Sequence, residues 1–267
     1  TDLSSVQSVS FAVAEGKLYS GFVASGKQTL TIGSKEQAFD LSQENGVTEY
    51  GHILSIIDLA DGSSSLTKKY STTHDAYGNY CFIKSMLVKG DVLLLGGTFN
   101  AKLAFDQNID AVSTNDLYVA VLNKNTLDVN NAVASKINEG DANSKKEEFG
   151  GMTVCGDYVY MMVQNQHYIL RSNYDRVNKR LTTPYIVCGQ PGQADYKDLA
   201  GTKARLNKPG QGVFVFNKEY EDANKEDCYD FYFTDRNNHC IRKLTPDGVV
   251  STFAGRGSTG MNVHANG

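Results

Sequence analysis

The chain has 267 residues, 40% hydrophobic and 21% charged, which is enough apolar material for one large core or two smaller ones. Its formal net charge of −4 supplies no global positive field for nucleic acid or an anionic membrane. Trp is absent, Gly (25) far outnumbers Pro (4), and no apolar run approaches the roughly 18–20 residues of a membrane-spanning helix, so the composition reads as globular and β-rich.

Residue 1 is Thr, with no basic-then-apolar leader in front of it. The other end, from Gly255 to Gly260, is glycine-rich with no closing element after it, and the expectation is a chain truncated at both ends. Three segments then alternate apolar residues, turn on a glycine and enter a second apolar strand: residues 9–19, 85–94 and 152–160. Their turn glycines are Gly16, Gly90 and Gly156, spaced by 74 and 66 residues, and each segment predicts a β-hairpin. The first two units continue alike. Residues 18–22 parallel 94–99, and each is followed by a polar loop and a further strand, at 53–58 and 117–122.

A sharper repeat follows. Asn165-Gln166-His167-Tyr168-Ile169-Leu170-Arg171 recurs as Asn237-Asn238-His239-Cys240-Ile241-Arg242-Lys243, an offset of 72. Both copies follow a Tyr-rich strand, and both precede an Asp, Asp175 and Asp247. With a fourth start near residue 230, the expectation is an all-β chain: a β-propeller of four-stranded antiparallel blades, incomplete, with apolar terminal faces and therefore unstable alone.

Residues 231–255 resemble a complete NHL repeat: an apolar strand, Asp235, then Asn237-Asn238-His239-Cys240-Ile241-Arg242-Lys243, the turn Pro246-Asp247-Gly248, and a strand ending in Ala254-Gly255. Residues 201–209 resemble its usual lead-in, and residues 185–190 look like those of NHL-repeat surface proteins of gut Bacteroidetes. The strong match covers 180–267. The copy at 158–175 has Val163 in place of Asp235, and residues 1–150 resemble the Gly-Thr-Phe-containing β repeats of secreted bacterial proteins. The expected division is therefore 1–150, propeller-like repeats, and 151–267, NHL-type repeats, as one propeller or two abutting ones.

The resemblance implies an extracytoplasmic bacterial setting, in the periplasm or on the outer surface with a lipid anchor. It also implies a non-catalytic role with a glycan or protein ligand, no cofactor, and a neighbouring domain outside this sequence. The competing reading is a metal-dependent propeller lyase or lactonase, its divalent ion held by Asp, His and Asn. The ligand-binding set is Tyr160, His167, Arg171, Asp235, Arg236, Asn237, His239 and Arg242, with no catalytic residue or metal ligand named. Most have an architectural alternative: the Asp235 and Asn237 side chains would bond the amides of their own turn. His167 and His239 would bond neighbouring turns, and Arg236, Arg242 and Lys243 would be exposed loop charges. Tyr158, Tyr160, Tyr168 and Tyr174 would either form a stacking platform for sugars or pack between blades. Ile241, Leu244, Val250 and Phe253 are expected to pack between blades.

The five cysteines form no CxxC pair; they read as buried free thiols, with a Cys228–Cys240 disulfide as the alternative. The charged runs 145–148 and 219–222 read as solvated loop insertions. There is no GxSxG, HExxH or GxxxxGK[ST], and the glycine-rich 189–193 lacks the Lys and following helix of a phosphate loop.

Overall fold

The computed structural model describes residues 6–32, 35–41, 50–71, 81–100, 102–112, 115–135, 147–223 and 227–255. The fold is all-β, built from antiparallel meanders of the propeller-blade type. The chain divides into two compact units, Thr1–Asn143 with Val177–Leu181, and Ser144–Arg176 with Thr182–Gly267.

In the first unit, β1 (Val6–Ala14), β2 (Lys17–Ile32), β4 (Tyr50–Asp58) and β5 (Ser64–Ser71) form a sheet in that order, and β3 (Lys35–Leu41) pairs with the far half of β2. Ala14 faces Lys17 across a two-residue loop, with Glu15 and Gly16 both at positive φ, the conformation that matches the twist of two antiparallel strands. The second sheet runs β11 (Val129–Ala134), β10 (Asp116–Asn123), β7 (Val92–Phe99), β6 (Cys81–Lys89), beside a small ribbon of β8 (Lys102–Leu103) and β9 (Asp106–Asp110). Every residue of β7 is buried, which explains its unbroken apolar run. Gly97 in β7 is obligatory: a Cβ there would stand 1.8 Å from the Phe82 carbonyl oxygen. Tyr19, Leu54, Ile56, Leu93, Leu95, Phe99 and Tyr118 join the two sheets in one core. The short strand β15 (Arg180–Leu181) belongs to this unit, its Leu181 N–H donating to Asn131 Oδ1 at 2.8 Å.

In the second unit, β13 (Tyr158–Val163) pairs with β12 (Phe149–Cys155) and β14 (Tyr168–Asp175), and β14 pairs with β16 (Tyr185–Gly189). The last sheet runs in chain order: β17 (Pro209–Phe216), β18 (Tyr229–Asp235), β19 (Cys240–Leu244), β20 (Val250–Gly255). Tyr160, Met162, Ile169, Phe231, Phe233, Leu244 and Val250 form the shared core. The Pro246-Asp247-Gly248 turn closes as expected, with Gly248 at φ +83° and its N–H on the Thr245 carbonyl.

The run 219–222 is a solvated insertion as read, but it is ordered as α1 (Lys218–Asp222), one helical turn between β17 and β18 whose Asn217 cap accepts the Glu219 N–H at 3.0 Å. Residues 145 and 146 of the other charged run lie outside the described residues, and of the remaining two Glu148 is exposed but Glu147 is not solvated: it is fully buried and accepts the Tyr168 hydroxyl. All five cysteines are free thiols, so Cys228 and Cys240 are not bridged. Phe253 does not pack between blades: it is 65% exposed and meets the Tyr232 ring edge-on at 4.8 Å. Both β1 and β17 carry exposed apolar residues, Val9, Phe11 and Val13 on the first, Val213 and Val215 on the second.

Candidate ligand-binding site

The eight sequence-selected residues fall into three places in the second unit. At one end of its sheets, β13 and β18 each run into a 3₁₀ turn, Gln164–Gln166 and Arg236–Asn238. Each turn ends on a histidine in the left-handed conformation, His167 at φ +65° and His239 at φ +51°. His167 Nδ1 accepts the Lys208 N–H at 3.2 Å. Burial, then the Lys208 charge, holds its imidazole below the ordinary range. His239 and Arg236 are exposed and line a 420 Å³ pocket with Gln164, Thr234 and Gly255. Asn237 donates its N–H to the Asn207 carbonyl at 3.0 Å.

The second place is buried. Arg242 is not an exposed loop charge; it is fully buried, as is Asp235. Its Nη1 donates to Asp235 Oδ2 at 2.7 Å and its Nη2 to Asp198 Oδ1 at 2.6 Å, with the Arg205 and Lys197 carbonyls taking further hydrogen bonds. Asp235 Oδ1 accepts the Asn207 N–H at 2.7 Å, and Asn238 Nδ2 donates to Asp235 Oδ2 at 2.8 Å. Burial pushes the Asp235 carboxyl above its ordinary range, and these donors offset that only in part. The carboxylate therefore does not cap its own turn. It ties the lead-in segment 198–208 to its blade, and Asp235 and Arg242 are committed to that architecture.

The third place lies at the opposite end of the sheets. Tyr160 is buried against Phe214 and Phe231, and burial pushes its hydroxyl up to about 12. Arg171 Nη1 donates to the Tyr160 hydroxyl at 3.2 Å, and its guanidinium lies over the Tyr158 ring at 4.5 Å and the Tyr185 ring at 5.3 Å. Tyr158 is also a wall of a 630 Å³ cleft at the Gly156-Asp157 turn, which Asn173, Tyr174, Arg176, Phe216, Asp227 and Tyr229 complete. Arg176 Nε donates to Asp157 Oδ1 at 2.6 Å, and Phe216 meets Tyr229 edge-on at 5.6 Å. Both of these rings are exposed.

Of the four tyrosines read as a platform, Tyr160, Tyr168 and Tyr174 are buried and Tyr158 is half-buried; only Tyr158 and the edge of Tyr174 line this cleft. Sequence reasoning missed Asp157, Arg176, Phe216 and Tyr229. The last two belong to strand ends that flank α1, a signal visible only as an insertion between aromatic strands. Among the described residues, no three His, Cys, Asp or Glu side chains stand close enough to hold a metal ion. No helix of the described residues is long and apolar enough to cross a membrane.

No protein-family model and no curated protein sequence matches the chain. Among solved structures, it is similar to an auxiliary nutrient binding protein from Bacteroides thetaiotaomicron VPI-5482, with 31% identity, 79% of this chain covered and a TM-score of 0.48. The chain spans 55% of that protein's length. It is also similar to an auxiliary nutrient binding protein from Bacteroides ovatus ATCC 8483, with 19% identity, a TM-score of 0.45, and coverage of 96% of this chain and 80% of that one.

Proposed function

We propose that the chain is a non-catalytic binding module that takes a glycan in the cleft at the Gly156-Asp157 turn. The observation that carries this reading is the make-up of that cleft. The rings of Tyr158, Tyr174, Phe216 and Tyr229 stand beside the Asp157–Arg176 pair and the Asn173 amide. A sugar offers apolar C–H faces to rings and hydroxyls to carboxylate, guanidinium and amide groups, so both halves of the wall have a use. The cleft volume of 630 Å³ is in the range of small-ligand sites, about 300–1,000 Å³. The two auxiliary nutrient binding proteins carry a name of the same broad class, but the proposal rests on this chain's own cleft.

The reading keeps residues 151–267 as NHL-type repeats, supported by the matching His167 and His239 turns, and places the protein in the periplasm or on the outer surface. The test is a glycan array followed by calorimetry on any glycan retained. Retention that Tyr229→Ala and Phe216→Ala each reduce by about tenfold or more supports it. Retention untouched by both substitutions, or a purified protein partner displaced by neither glycan nor cleft variant, removes the cleft from the function.

A further inference from the structure

The pocket at His239 has a filled counterpart one repeat earlier. Gln164 corresponds to Arg236 and His167 to His239, at the same offset of 72. Tyr168 pairs with Gly189 just as Cys240 pairs with Gly255. A Cβ on Gly189 would stand 2.3 Å from the His167 carbonyl oxygen, and one on Gly255 2.5 Å from that of His239. Phe149 faces Val163 and Pro209 faces Asp235, so Gly150 and Gly210 also correspond.

In the earlier copy this space is occupied by the chain itself. The Lys208 N–H donates to His167, and the Pro209 carbonyl oxygen sits where a Cβ on Gly150 would meet it at 2.8 Å. The same segment is gripped from its own blade, where the Arg236 N–H reaches the Lys208 carbonyl and the Asn237 N–H the Asn207 carbonyl. In the later copy the corresponding residues, Gly210, Arg236, His239, Cys240 and Gly255, line an open 420 Å³ pocket. The side chains of Arg236 and His239 make no hydrogen bond or ion pair among the described residues. One copy of the socket is filled by peptide, and the other presents the same groups with none of the described residues in it.

We propose that this pocket is a docking slot for an extended peptide segment with the build of residues 206–210, Leu-Asn-Lys-Pro-Gly, whose N–H before the proline is accepted by His239 Nδ1. The occupant is defined by the filled copy: a backbone N–H donor, then Pro-Gly lying flat over Gly210. The slot is at the opposite end of the sheets from the glycan cleft, and the two assignments stand or fall separately.

The test adds a ten-residue peptide with the sequence of residues 203–212 to the full chain and follows the His239 ring and Gln164 amide signals by NMR. Saturable movement of both is expected, with a scrambled peptide inert. His239→Asn, which keeps a residue tolerant of the left-handed conformation, should weaken binding about tenfold, as loss of one hydrogen bond would. Arg236→Ala, outside the strained position, checks the same groove. Equal response to the scrambled peptide, undiminished binding by both variants, or no saturable movement at the highest soluble peptide concentration overturns the proposal.

Discussion

Arg242 and Asp235 meet at 2.7 Å with neither side chain exposed, and their remaining polar groups are largely taken by Asp198, Asn238, Asn207 and two carbonyls. A buried pair costs desolvation on both sides, so its value lies in being complete. Removing one partner strands the other.

Asp235→Ala is therefore expected to destabilise the second unit by about 3–5 kcal/mol, read from urea unfolding followed by tyrosine fluorescence. The double variant Asp235→Leu with Arg242→Leu should lose much less than Asp235→Ala alone. A double variant as damaged as the single one would show that the pair is not the unit that matters.

The His167 imidazole must be neutral at Nδ1 to accept the Lys208 N–H, and burial favours that form. Its folded pKa lies below its unfolded one, which is about 6.5. The stabilisation is thus fully present above that value and is lost as pH falls through the folded pKa. Unfolding free energy should fall more steeply with acidification in the parent than in His167→Asn. Parallel curves for the two proteins would remove His167 from the acid response.

Gly97→Ala should be among the most damaging single-methyl changes in the first unit, because the added Cβ meets the backbone Phe82 oxygen and the Tyr118 ring rather than a flexible chain end. A loss of about 1–3 kcal/mol or more is expected by denaturant titration. Gly62→Ala is the comparison: Gly62 has open space around it, so any loss there reports its φ of +69° alone.

Four of the five cysteines are buried and Cys228 is half-buried, all with free thiols. Burial pushes the Cys81 thiol up to about 12 and the Cys240 thiol up to about 11. Native protein should therefore show one readily titrating thiol with a disulfide reagent, lost in Cys228→Ser, and five after denaturation. Three thiols after denaturation would restore the bridge that the structure lacks.

Much of the architecture is legible in the chain because it is local. A glycine between two alternating runs names a hairpin, and the loops at Gly16, Gly90 and Gly156 stand where those residues predict, each with its glycine at positive φ. The 72-residue offset likewise names two matching turns, because the two turn segments align residue for residue, Gln164–Gln166 with Arg236–Asn238, each closing on a histidine.

The placement of the functional side chains was not legible in the same way. Arg242 reads as a surface cation until Asp198, 44 residues away, and Asp235 close around it. Tyr160 and Tyr158 sit two apart in one strand, yet packing against Phe214 and Phe231 buries the former while the latter reaches the cleft. Turns and strands follow from the conformational preferences of adjacent residues, which the sequence states directly. Burial and the walls of a cleft depend on which distant strands lie alongside, and in this protein only the tertiary structure decided that.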